Sequence, residues 1–118
     1  MEYGVYVMVL SINKEMIEEL KELMEDGFTL LINTFIEDSN KRLVDLNLAI
    51  VEKNATEIRE LAHGFKGSSA NLGAEKLSEI SHTLETMGRT NELSAAENCF
   101  QQLEIEYQII LEYFESLI

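Results

Sequence analysis

An all-α antiparallel four-helix bundle with a short extra N-terminal helix is the fold this sequence predicts, on three observations. None of its 118 residues is proline, the residue that most reliably interrupts a helix. Apolar residues recur on one helical stripe in each of four long segments, the last in an unbroken alternation of three and four, as they do on amphipathic helices. Capping signals stand between those segments, with connections short enough to make sequential helices antiparallel neighbours. The length suits one core rather than two, so a single domain over 13–118 is expected behind an apolar tail over 1–12.

The tail, MEYGVYVMVL, is β-branched and aromatic, which suits an extended segment laid on the domain. It has an acid at position 2 and no basic start, and reads as neither signal peptide nor membrane span. Met8 is an alternative start. Asn13 is placed as N-cap of a short helix through about Met24. Asp26 opens a longer second helix to about Lys53, striped by Phe28, Leu31, Ile32, Phe35, Ser39, Leu46 and Ile50. Asn54 and Glu57 resemble a capping box at the start of a third helix. Its stripe is Ile58, Leu61, Ala62, Phe65, Ser69 and Leu72, with Gly73 placed to end it in the left-handed region. A fourth helix runs from about Ala74 to Gly88 with Leu77, Ile80, Leu84 and Met87 inside. Ser94 and Glu97 form another S-x-x-E box, and the last helix carries Ala96, Phe100, Leu103, Tyr107, Ile110, Phe114 and Leu117.

Composition excludes several functions. The chain has 22 acidic against 9 basic residues and a net charge of −13. It therefore lacks the concentrated basic face that nucleic acid or an anionic membrane requires, and the charge reads as a means of staying soluble. Cys99 is the sole cysteine, so no internal disulfide or multi-cysteine zinc site can form, and a cytoplasmic setting is expected.

One stretch resists the helical pattern. LAHGFKGSSANLG, residues 61–73, puts three glycines and two serines around a histidine, although each interior helical glycine costs about 1 kcal/mol relative to alanine. Taking Ile58 as zero on a helical wheel, the core stripe lies within ~60°, while His63 falls at ~140°, Gly67 at ~180°, Ala70 at ~120°, Arg59 at ~100° and Lys66 at ~80°. His63 therefore faces away from the core. A side chain at 67 would lean back over it, so Gly67 leaves the imidazole bare, and small residues at Gly64, Ser68 and Ala70 keep the surface around it low. Such a surface suits docking by another protein.

Two chemistries compete for the histidine. Glu60-x-x-His63 and Glu79-x-x-His82 have the spacing of a di-iron carboxylate site. Their phase opposes it, because all four residues fall ~140–200° from their stripes and point outward. The other chemistry is phosphoryl transfer. Neutral imidazole is a good nucleophile and phosphorylated imidazole a good leaving group, and Lys66 could balance the phosphoryl charge. H-G-F-K-G-S-S lacks the spacing and preceding strand of a nucleotide-binding P-loop.

His63-Gly-Phe-Lys66-Gly67-Ser68-Ser69-Ala-Asn71-Leu-Gly73-Ala, followed by Leu77 and Leu84-Glu85, resembles the histidine-containing phosphotransfer (HPt) domain of bacterial multistep phosphorelays. DGFTLLINTFIEDSNKRLVDL, residues 26–46, is similar to the second helix of that family. The resemblance implies that His63 is the phospho-acceptor, through Nε2, with Lys66 beside the phosphoryl group and Gly67 giving clearance. It implies that Glu85, 22 residues after the histidine, lies near the ring and could orient it. Glu85 falls ~80° from the fourth-helix stripe on the side shared with His82, which itself reads as an ordinary surface histidine. The implied partners are receiver domains of a hybrid histidine kinase and of a response regulator. The receiver would bring the divalent metal, and this chain would have neither cofactor nor kinase activity and would act as a monomer. Arg59, Gly64 and Ala70 are candidate docking residues. Val44, Leu48 and Val51 form a second apolar stripe that either packs under the first helix or docks a receiver beside His63. A helical adaptor that binds a receiver or kinase without being phosphorylated is the alternative of a different class.

Overall fold

The computed structural model describes residues 12–118; the predicted tail, Ile12 excepted, and the alternative start at Met8 lie outside them. Among the described residues all regular structure is helical: α1 (Lys14–Met24), α2 (Gly27–Val51), α3 (Ala55–Asn71), α4 (Glu75–Thr90) and α5 (Ala96–Glu115). Helices α2 to α5 pack each against the next, α5 closes back on α2, and α1 lies against α2. The closed core holds Phe28, Ile32, Phe35 and Leu46 of α2, Ile58, Ala62 and Phe65 of α3, Leu77 and Leu84 of α4, and Phe100 to Phe114 of α5. Phe35 packs edge-on against Phe114, and Phe65 edge-on against Tyr107. The Tyr107 hydroxyl, pushed up to about 12 chiefly by burial, donates to Asn40 Oδ1 at 2.9 Å.

The two asparagine caps form as the sequence dictates. Asn13 Oδ1 accepts from Met16 N–H and Asn54 Oδ1 from Glu57 N–H. The return half of the Asn54 box does not form, because Asn54 N–H donates to Ala49 O instead. At the end of α3, Gly73 adopts φ +72°. Its N–H donates to Ala70 O, while Ala74 N–H donates to Ser69 O. Together these bonds satisfy carbonyls that the last turn would otherwise leave open. Gly73 O in turn accepts from Asn13 N–H at 2.8 Å, tying the start of α1 to this corner.

Three boundaries depart from expectation. Helix α4 runs past Gly88 to Thr90 and ends at Asn91, which takes the left-handed turn at φ 58°. Gly88 is needed for a different reason: an added Cβ would stand 2.6 Å from Arg59 N and 2.7 Å from Ala55 O. It is where the backbones of α3 and α4 nearly touch. Helix α5 starts at Ala96 behind Ala95, and neither Ser94 nor Ala95 supplies a side-chain cap. Likewise Asp26 precedes α2 without a side-chain cap bond.

Candidate phosphotransfer site

The close α3–α4 seam fixes what stands opposite His63. From Gly88, which meets Ala55 and Arg59, the antiparallel helices bring Glu85 against His63 and Lys66, then Ser78 Oγ against Lys66 O at 3.0 Å. Glu85 Oε2 lies 2.8 Å from His63 Nδ1, and Oε1 lies 2.7 Å from Lys66 Nζ. The His63 side chain is 68% exposed and that of Glu85 only 16%. A mostly sheltered carboxylate thus grips one edge of an imidazole whose remainder stands in solvent.

Electrostatics determine the tautomer. The Lys66 ammonium, with the His63 contact adding to it, outweighs burial and holds the Glu85 carboxyl down at about 2, against an ordinary 4.5. Ionised, the carboxylate can only accept, so Nδ1 carries the proton and donates it to Oε2. Neutral His63 then keeps its lone pair on Nε2, across the ring from the contact.

This depression has a measurable consequence. The folded chain binds the Glu85 proton less readily than the unfolded chain, so the contribution of this group is complete above about pH 4.5 and lost as pH falls toward 2. In urea unfolding, the stability gap between wild type and Glu85→Gln should be constant above that range and shrink below it. A gap that is flat down to about pH 2 would contradict the assigned ionisation.

Gly67 is open: a Cβ there would meet nothing within 4 Å. Gly64 has a specific neighbour, since its Cβ would come 3.2 Å from Arg42 Nε. Arg42 crosses α3 at this point and donates from Nη1 to Ser68 Oγ at 3.3 Å. Arg59 and Ala70 are exposed on α3 to either side of His63. Val44, Leu48 and Val51 are 55–70% exposed, so α1 does not cover them. They lie ~120–180° around α2 from Arg42, the α2 residue that meets Gly64 and Ser68.

Two features escaped the sequence reading. His82 is more than an isolated surface histidine, because its Nδ1 lies 3.6 Å from Glu85 Oε1. Beyond Ser68 opens an apolar groove of about 460 Å³, lined by Leu20, Met24, Leu31, Phe35 and Leu72 with Asp38 and Asn71 at its polar edge. Its α1 wall could not be placed from spacing within α3 alone. Of the two E-x-x-H motifs, Glu60 and Glu79 are exposed, and no group of three or more His, Cys, Asp or Glu side chains among the described residues is arranged to hold a metal. No helix among those residues is long and apolar enough to cross a membrane.

Comparison with known proteins decides the family. The sequence model of the Hpt domain matches residues 30–113, from the first turn of α2 to the last of α5. The chain belongs to the Hpt domain family. The structure of histidine-containing phosphotransfer protein B from Pseudomonas aeruginosa PAO1 matches this Hpt domain with a TM-score of 0.88 at 35% identity, over 90% of this chain and 92% of that one. Histidine-containing phosphotransfer protein 1 of Arabidopsis thaliana is 24% identical over 95 residues, which take in 78% of this chain and 61% of the plant protein. The chain thus spans less than two thirds of that relative.

Proposed function

We propose that this Hpt domain is a phosphorelay carrier, taking a phosphoryl group from a receiver aspartate of a hybrid histidine kinase onto His63 Nε2 and giving it to a receiver aspartate of a response regulator. The observation that carries the reading is the exposed imidazole held at Nδ1 by an ionised carboxylate, 2.8 Å away. In the step, the Nε2 lone pair forms the N–P bond as the P–O bond of the aspartyl phosphate breaks, and its electron pair leaves with the aspartate carboxylate. No proton need move. The phosphorylated ring retains the Nδ1 proton and becomes cationic, and Glu85 sits where that charge develops. Transfer onward is the same step reversed, so one geometry serves both directions.

Lys66 stands near enough to offset the phosphoryl charge, and its side chain is 30% exposed. The receiver is proposed to approach over Gly64, Gly67 and Ser68, with its apolar contacts in the adjoining groove. That approach moves the docking surface from Val44, Leu48 and Val51 to the flank of α2 that carries Asp38 and Arg42. A divalent metal would come with the receiver, and a reducing cytoplasm suits the buried thiol of Cys99. The chain supplies the nucleophile, its orientation and a charge partner, and needs no nucleotide site for that role.

Incubation with phosphoramidate, read by intact mass beside His63→Gln, tests the reading. One acid-labile phosphoryl on wild type and none on the variant is expected. Folded wild type that takes no label would overturn it in favour of an unphosphorylated adaptor.

A further inference from the structure

We infer that His82 is a positioning residue for the phosphorylated state: it takes over Glu85 Oε1 when Lys66 turns to the phosphoryl group. The inference rests on the carrier reading above and adds a residue to it. Its starting point is a conflict over Lys66. That ammonium is 2.7 Å from Glu85 Oε1 and is the main reason the carboxyl is held below its ordinary range. It is also the cation placed to meet a phosphoryl group on His63, one turn away on α3. One ammonium turning toward the phosphoryl oxygens weakens its hold on the carboxylate.

The oxygen that Lys66 would leave is a sheltered one in the resting site. Glu85 Oε1 is shielded from solvent, and Lys66 Nζ at 2.7 Å is its close cationic partner. A buried carboxylate oxygen left without a donor is costly. A new donor on Oε1 would instead keep the carboxylate in place against His63 Nδ1–H as that ring becomes cationic.

His82 stands at the right place to supply that donor. It lies one turn before Glu85 on α4, its Nδ1 is 3.6 Å from the same Oε1, and its side chain is 61% exposed and free to turn. Closing to about 2.9 Å would make an N–H···O bond of ordinary length. Oε2 stays on His63 throughout, so the carboxylate exchanges one partner without moving. Lys66 becomes available to the phosphoryl group without cost to the orientation of the ring.

The test is an equilibrium between phosphorylated and free forms. Wild type, His82→Ala and His82→Asn, whose Nδ2 matches the position of the histidine Nδ1, are each brought to equilibrium with a fixed ratio of N-phosphoimidazole to imidazole. Occupancy is read by intact mass, and the His63 Nδ1–H proton resonance of each unphosphorylated protein is recorded. Alanine should lower the phosphorylation equilibrium constant by about tenfold or more, the effect of one lost hydrogen bond to a charged group. Asparagine should restore it to within about twofold, and the unphosphorylated Nδ1–H resonance should be the same in all three. Equal constants for alanine and wild type, or a loss that asparagine does not restore, would overturn the inference while leaving the carrier reading intact. A wild type that takes no phosphoryl group at His63 overturns the carrier reading, and this inference with it.

Discussion

Gly88→Ala is expected to destabilise the protein by roughly 2–3 kcal/mol, in spite of the better helix propensity of alanine. The new methyl group would meet Arg59 N at 2.6 Å, Ala55 O at 2.7 Å and Arg59 Cα at 3.0 Å. All three are backbone atoms of α3, so no side chain can swing aside and the two helices must part. Against a domain stability of roughly 5–15 kcal/mol the loss should be plain in a urea midpoint. It should also reach the site, because Glu85 lies one turn from Gly88 on α4 and meets His63 across the same seam. Phosphoramidate labelling of the folded variant should therefore slow as well. A variant as stable as wild type would mean that α3 and α4 are held less closely than their contact indicates.

Gly67 should behave in the opposite way. A Cβ there meets open space, so Gly67→Ala should stabilise the helix by roughly 0.5–1 kcal/mol. Gly67→Leu should fold normally yet transfer its phosphoryl group to a receiver domain at least tenfold more slowly. Its labelling by phosphoramidate, a small donor that needs little clearance, should change far less. The measurement is the ratio of the two rates in one preparation. A parallel loss of both would place the fault in the imidazole environment and not in docking. The two glycines thus separate two demands on the same seam: close approach within the bundle at Gly88, and open approach from outside at Gly67.

Much of this arrangement was legible in the sequence, and the exceptions have physical reasons. Helical phase alone turned His63 outward and put Lys66 and Gly67 on its face, because the stripe from Ile58 to Leu72 fixes the rotation of α3. Phase also separated the two E-x-x-H motifs. The contact of Glu85 with His63 depends on how closely α3 and α4 approach, which no single-helix wheel contains; the family resemblance supplied it. Gly88 looked like a helix terminator because glycine favours left-handed ends, whereas Asn91 takes that conformation and Gly88 serves packing. Ser94 matched a capping pattern that the chain entering α5 does not use. The stripe of Val44, Leu48 and Val51 was apolar enough to suggest a partner, but its position relative to His63 is set by the rotation of α2, which Arg42 reports by lying against Gly64 and Ser68. The i,i+3 spacing of His82 and Glu85 was legible on the wheel of α4; that the pair reaches His63 depends on how α4 meets α3.

The central claim is that Glu85 holds the Nδ1 proton of His63 so that Nε2 is the nucleophile. The most direct test is ¹⁵N NMR of imidazole-labelled protein before and after phosphoramidate treatment. Before treatment, His63 should show a protonated Nδ1 and an unprotonated Nε2. Afterwards the phosphorus should be bonded to Nε2 of His63, with Nδ1 still protonated. Phosphorus on Nδ1, or on His82 in place of His63, would contradict the account.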